Sequence, residues 1–258
     1  MNANESVMAC TVVSPTPRNK YWLKFQSKAL TSSVAKIDKF VVLNGLSEDD
    51  HSWEDGGYTA LNRSKINMGH GWGLKIIIDA FKKNTDYSRL LILDSDAWPI
   101  DESWFHVCER LMHIKEKNGL AVVRCENFDT FPHPCVFMAN RKLVNKGLEF
   151  KLRSQVNLLG ELITDLSLGY KDFDDDVVSL TRSNKVNYHP LFGGIYSNIF
   201  YHHGAGSRFP GKTRLASSQM CDHYIKPESH VEIESKMFDK LVRNYDEYIG
   251  TLKNGLTL

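Results

Sequence analysis

Apolar positions along the chain fall into two kinds of run. Short, nearly continuous ones occur at Val7–Val13, Phe40–Asn44, Leu90–Leu93, "LAVVRC" (120–125) and "CVFMA" (135–139). Runs of this length, closed by polar or turn residues such as "SPTPR" after Val13, predict strands covered on both faces. Elsewhere the spacing changes. Leu74, Ile77, Ile78 and Phe81 recur at three and four residues, as do Trp104, Val107, Cys108 and Leu111, and each set predicts one buried helix face. Lys20–Val34 is expected to be a helix as well. Strands alternating with helices predict an α/β fold, a mostly parallel central sheet flanked by helices. In such a sheet the ligand sits beyond the carboxyl ends of the strands.

Polar stretches complete the pattern. Residues 45–72 are rich in Gly, Asp, Asn and His. They are long for a connection, and long loops in compact domains are often functional. "GELITDLSLGYKDFDDD" (160–176) predicts a short helix, a turn at Gly169 and a solvated acidic loop. "NIFYHHGAGSRFPGKTR" (198–214) predicts a strand running into a glycine-rich basic loop. Phe238, Leu241, Val242, Tyr245 and Ile249 form the stripe of one closing amphipathic helix.

Composition narrows the class. The chain has 258 residues, 42% of them hydrophobic, and a net charge of +1. That fills one sizeable core and gives no electrostatic footprint for a nucleic-acid partner. No apolar run is long enough for a transmembrane segment. "MNANESVMAC" lacks the basic start and apolar stretch of a signal peptide. Cys10, Cys108, Cys125, Cys135 and Cys221 form no CxxC pair, and are expected to be reduced core residues of a cytoplasmic protein, not a zinc site.

Three groups of residues can carry chemistry. The run "RLLILDSDAWP" ends in Asp94 and Asp96, and two carboxylates side by side at a strand end repel and lose solvation. A hard divalent cation, Mn²⁺ or Mg²⁺, bound by both would relieve this and leave positions open for phosphates. The alternative role for such an aspartate, capping the next helix, suits Asp101 better. Next, "YHHGAGSRFPGKTR" holds His202, His203, Arg208, Lys212 and Arg214. A neutral imidazole can supply a further metal ligand, and the cations beside Gly204 and Gly206 can face a diphosphate. On an extended strand adjacent histidines point to opposite faces, so only one of the two is expected to reach the ion. Finally, Glu161 and Asp165, one helical turn apart, could share a face, and one could act as a general base toward a hydroxyl. Trp53, Trp72 and Trp98 offer stacking faces for a sugar or base, while Trp104 falls on a core stripe.

Together these pieces resemble the GT-A fold of nucleotide-sugar-dependent glycosyltransferases. "TVVSPTPR" looks like the strand and turn that receive the nucleotide, "NRSKINMGHGWG" like the segment preceding the metal motif, and "LLILDSDAWP" like the D-x-D motif. "HPCVFMANRKLV" is similar to the strand–helix step beside the acceptor, "GELITDLSLGYK" to the acidic segment, and "HHGAGSRFPG" to the C-terminal loop completing the diphosphate site. The resemblance implies a single domain over 1–258. It divides into a nucleotide-binding half (1–140), an acceptor half with the metal and diphosphate loop (141–228), and a C-terminal helix (229–258). It implies Asp94, Asp96 and His202 or His203 on Mn²⁺ or Mg²⁺. Ser14, Arg63, Asn67, Asp94, Ser95, Arg208 and Lys212 would lie on the nucleotide-diphosphate sugar. Glu161 or Asp165 would be the acceptor-side acid, the acceptor being a carbohydrate or glycoconjugate hydroxyl. The acidic segment lacks a Glu-Asp pair, so inverting and retaining outcomes both stand. A Mg²⁺-dependent nucleotidyltransferase also pairs two acids on an α/β sheet, but would want a glycine-rich phosphate loop, and "VVSPTPRNK" has no glycine. A carbohydrate-binding module without catalysis would need neither the D-x-D nor the cations.

Overall fold

The computed structural model describes residues 5–255 except 33, 128–130, 149, 157–161, 169–172, 186–191 and 205–226. The central sheet has seven strands: β1 (Glu5–Val13), β2 (Ala35–Asn44), β3 (Thr59–Ser64), β4 (Arg89–Asp94), β6 (Gly119–Val122), β7 (His133–Asn140) and β10 (Val177–Leu180). Their order is β10-β6-β7-β4-β1-β2-β3. All neighbours are parallel except β7, which runs antiparallel to both β4 and β6. A second sheet joins β5 (Ala97–Pro99), β11 (Gly194–Tyr196) and β12 (Phe200–His202), with β12 in the middle and antiparallel to both. Flanking helices are α1 (Asn19–Ala29), α2 (His70–Lys83), α3 (Trp104–Ile114) and α4 (Arg141–Asn145).

The two faces of the central sheet are packed separately. Cys10, Ile92 and Phe137 on one face meet Leu74, Ile77 and Phe81 of α2. Leu91, Leu93 and Val136 on the other meet Trp104, Phe105 and Cys108 of α3. Doubly covered strands explain the continuous apolar runs. Among the described residues no helix is long and apolar enough to cross a membrane.

Several expectations are corrected. The helix expected over Lys20–Val34 stops at Ala29, because Ala35 and Ile37 alternate with Lys36 and Asp38 and open β2. The polar stretch 45–72 contains β3, an edge strand whose exposed positions need no apolar residues. The helix expected in the acidic segment is a strand, β9 (Leu162–Leu168), in a hairpin with β8 (Phe150–Val156). Leu162, Thr164, Leu166 and Leu168 fall at every second position, a strand period. Asp165 stands across from Arg153 in that hairpin, and Glu161 lies outside the described residues, so no shared helix face joins them. The acidic "DFDDD" is not a solvated loop throughout. Phe173–Asp176 makes one helical turn, α5, and buried Asp176 accepts from Asn118 Nδ2 at 2.7 Å and Lys146 Nζ at 2.6 Å. The closing helix is two, α6 (Pro227–Arg243) and α7 (Tyr245–Lys253), with Asn244 between them capping the second through Glu247 N. Cys10, Cys108, Cys125 and Cys135 form no disulfide; the first, second and fourth are buried, but Cys125 is exposed and not a core residue; Cys221 lies outside the described residues.

Two helix glycines should respond oppositely to one methyl group. A Cβ on Gly73 of α2 would stand 2.6 Å from both γ-methyls of Val12, whereas one on Gly250 of α7 meets nothing within 4 Å. Gly73→Ala should therefore lower stability by about 1–3 kcal/mol, and Gly250→Ala should raise it by about 0.4–1 kcal/mol. Urea unfolding midpoints at constant slope check both signs.

Candidate metal centre

Asp94 is the last residue of β4, at the carboxyl edge of the parallel strands. The chain turns there through buried Ser95 and Asp96 into β5. Gln26 of α1 clips this turn: its Nε2 donates to Asp94 O at 2.9 Å and to Ala97 O at 2.7 Å, while its Oε1 accepts from Tyr58 at 2.9 Å. β12 then lies against β5, with His202 opposite Ala97 and His203 N donating to Asp96 O at 2.9 Å. The pairing carries the histidine strand to the aspartate turn.

His202 Nε2 lies 3.5 Å from Asp96 Oδ1 and 3.6 Å from Asp94 Oδ2. One ligand atom from each of the three residues falls within 4.8 Å of the others. These separations exceed good hydrogen bonds and suit neighbours around a shared cation. Two carboxylates and an imidazole form a donor set that a divalent ion accepting oxygen and nitrogen would satisfy. Asp96 and His202 are both buried. Burial opposes charge on His202, but the Cys135 sulfur and the Asp96 carboxylate outweigh it and push the imidazole well above its usual value. The pocket is thus arranged to receive positive charge beside the two acids.

His203 points the other way. Its ring packs on Trp22 with centroids 4.8 Å apart. Its Nδ1 lies 2.8 Å from Tyr201 Oη and its Nε2 lies 3.0 Å from Glu234 Oε1. Glu234, on α6, is fully buried and also bridges Arg18 of the β1–α1 turn, whose guanidinium sits 4.0 Å over the Phe238 ring. His203 is a structural partner of α6, on the opposite face from the cluster.

The other candidate residues are distributed as follows. Ser95 lies within the aspartate turn. Ser14 follows β1, its carbonyl accepting from Asn19 Nδ2 at 2.9 Å. Asn67 Oδ1 accepts from Asn44 Nδ2 at 3.1 Å and Gly69 N at 2.8 Å, ordering the loop before α2. Arg63 is held by the carbonyls of Glu48 and Asp50 at 3.1 and 3.3 Å. Arg208 and Lys212 lie outside the described residues. Trp98 is no stacking platform: it is fully buried, stacked on Phe25 and bonded through Nε1 to Tyr245 Oη at 2.9 Å. Trp104 is core, as its stripe predicts. Asp101 does not cap α3 as expected: Ser103 is the N-cap and its side chain makes no cap bond, while Asp101 Oδ1 accepts from Ser103 N at 2.8 Å in the turn ahead of the helix.

Sequence reasoning missed His70 and Gln26. His70 opens α2 and its Nε2 lies 3.5 Å from Asp94 Oδ1; its place after the "NMG" breaker was the available signal. Gln26 left none, since a glutamine on a helix looks solvent-facing until its neighbours are known.

No family model matches the chain, and no curated protein matches it in sequence. Among solved structures it resembles a mannosyltransferase of Pyrobaculum calidifontis in complex with GDP-Man and Mn²⁺, with 11% identity, 56% of this chain and 47% of that one covered, and a TM-score of 0.42. It also resembles a cytidylyltransferase of Leptospira borgpetersenii (13% identity, 56% and 63% covered, TM-score 0.36). A third is the glycosyltransferase GlyE of Streptococcus pneumoniae (18% identity, 56% and 36% covered, TM-score 0.34). The chain spans less than two thirds of the length of each of these three. Glycosyltransferases and nucleotidyltransferases are thus both among its structural neighbours, and what each binds is a property of that neighbour.

Removing Glu234 should strand the buried Arg18 and His203. Glu234→Ala is expected to cost about 3–5 kcal/mol of stability, and Arg18→Met combined with Glu234→Leu distinctly less, because the pair then leaves together. Denaturant unfolding of the two variants makes the comparison. Equal losses would mean that the ion pair is not the source of the cost.

Proposed function

We propose that the protein is a metal-dependent glycosyltransferase, moving a sugar from a nucleotide-diphosphate donor to a hydroxyl of a carbohydrate or glycoconjugate. The observation that carries the reading is the Asp94–Asp96–His202 cluster at the carboxyl edge of a parallel sheet, where ligands of open α/β sheets bind. Asp94, Asp96 and His202 would hold Mn²⁺ or Mg²⁺. A bound divalent cation would supply Lewis-acid stabilisation of the diphosphate leaving group.

The chain's own residues do the rest in this reading. The first turn of α2, behind Asn67 and His70, directs backbone N–H groups and the positive end of a helix dipole toward that edge, which favours the donor's phosphates. Ser14 and Ser95 would contact the donor on the β1 and β4 sides, and Arg208 and Lys212 would neutralise the diphosphate from the C-terminal loop. Arg63, engaged by two carbonyls, would act by shaping the loop between β2 and β3. Glu161, with Asp165 the alternative, would take the proton of the acceptor hydroxyl. In this reading residues 1–140 hold the donor, 141–228 serve the acceptor and the diphosphate, and the last segment supports both. The free cysteines fit a reducing compartment such as the cytoplasm.

The test is release of nucleoside diphosphate from a panel of nucleotide sugars, with and without EDTA. Activity should vanish in chelator and return with Mn²⁺ or Mg²⁺. Asp96→Ala should remain folded and lose about a hundredfold or more in rate. Full activity in EDTA would overturn the proposal. Release of pyrophosphate from a nucleoside triphosphate and a sugar phosphate would mark a nucleotidyltransferase instead. Sugar binding without any turnover would mark a binding module.

A further inference from the structure

A cleft of about 330 Å³ lies between α2 and the segment that leads from α4 into β8, and the chemistry above does not use it. Gly71, Lys75 and Lys82 line it along α2, at the four- and seven-residue spacings of one helix face. Gly147 and Phe150 line it from the other side, and Ile78 and Leu148, both buried, add apolar surface. Gly147 sits in the left-handed region at φ 95°, and a Cβ there would meet nothing within 4 Å, so the cleft stays open at that wall. Phe150 is half-buried. Its ring meets Phe137 edge-on, 88° from coplanar and with centroids 5.4 Å apart. Packing therefore fixes a ring that is still partly accessible. The volume is that of a small-molecule site. From Gly71 to Lys82 the helix rises about 16 Å. Gly71 directly follows His70, whose Nε2 lies 3.5 Å from Asp94 Oδ1, so the cleft starts beside the metal cluster and runs away from it along the helix.

Two lysines and one aspartate, Asp79, leave the lining with net positive charge. Lys75 is engaged by Asp79 one turn further along. Lys82 is exposed, and among the described residues no carboxylate pairs with it. A fixed aromatic ring beside an uncompensated ammonium suits a ligand that is apolar on one face and anionic at its edge. A sugar ring can lay its C–H face on Phe150, and its carboxylate or phosphate can accept a charge-assisted hydrogen bond from Lys82. We propose that this cleft binds an anionic saccharide and is the acceptor subsite, leading a sugar hydroxyl toward the metal edge. Binding requires only the cleft; the acceptor role rests on the glycosyltransferase reading given above. Lys82 also stands in the last turn of α2, where it complements the helix dipole. That role alone would be felt in stability and not in sugar binding.

Trigalacturonate and mannose 6-phosphate, with maltotriose as the neutral control, are titrated into the ¹⁵N-labelled protein, and thermal unfolding is followed alongside. One or both anions should bind and shift the amide resonances of Gly71 and Gly147 together, and which of them binds tells carboxylate from phosphate. Maltotriose should bind about fivefold more weakly or less well still. Lys82→Glu should lose about fivefold in affinity for the anion, and Phe150→Leu, which keeps an apolar side chain but removes the ring, should weaken it too. Asp96→Ala should bind the sugar as wild type does, because Asp96 lies outside the cleft. In the donor assay the anion that binds should accelerate release of nucleoside diphosphate. No shift at the two glycines with either anion, equal binding of maltotriose, or wild-type affinity in Lys82→Glu overturns the site. Sugar binding with no effect on donor turnover overturns the acceptor role. Sugar binding by a protein that turns over no nucleotide sugar overturns the glycosyltransferase reading, and the anionic-saccharide site stands.

Discussion

Two carboxylates held beside each other, one of them out of water, are the constraint around which the carboxyl edge is built. Left alone, Asp94 and Asp96 would separate or take up protons. They stay together because their backbone is fixed before their charges are considered. Gln26 holds two carbonyls of the turn, and the β5–β12 pairing holds a third. With the turn pinned, the electrostatic demand falls on what surrounds it: His202 between the two acids, His70 on the outer oxygen of Asp94, and a bound cation in the proposed function. Rigidity supplied by uncharged hydrogen bonds is what permits a charged site to remain open.

The neighbouring histidines show how one strand serves two purposes. His202 faces the acids and His203 faces the core, as alternation along a strand requires. His203 passes its contacts to Tyr201 and Glu234, and Tyr201 to Tyr248, which lies on α7 2.9 Å away. The last two helices therefore pack onto the strand that carries His202, through a polar chain enclosed by Trp22, Trp98 and Phe238.

Much of this was legible in the sequence. Leu90–Leu93 ending at Asp94 announced a buried strand and the edge where the two acids gather, and the 3.6-residue stripes of α2 and α3 located those helices. The opposed faces of His202 and His203 followed from strand geometry, although which one met the acids depended on the partner strand. What stayed hidden has physical causes. β3 is an edge strand with little to bury, so it carries no apolar signal. The "LITDLSL" strand was obscured because an acid four residues after another also fits a helix. Gln26 acts through contacts between residues far apart in the chain, and a one-dimensional pattern does not record those.

The Arg18–Glu234 bridge joins positions 216 apart in the chain. Contacts of such separation demand closure of a very long loop, and they form only after local structure has reduced that entropy. The β1, β2 and β4 ladder can assemble from the first part of the chain alone, with the aspartate turn already shaped by Gln26. The β12 strand and the helix behind it must arrive afterwards. During synthesis, then, a nascent chain holds its two acids as an ordinary solvated turn. In the proposed function the third ligand, His202, would arrive only when the far end of the polypeptide docks, so binding competence would be conferred by the last step of folding and not by the first.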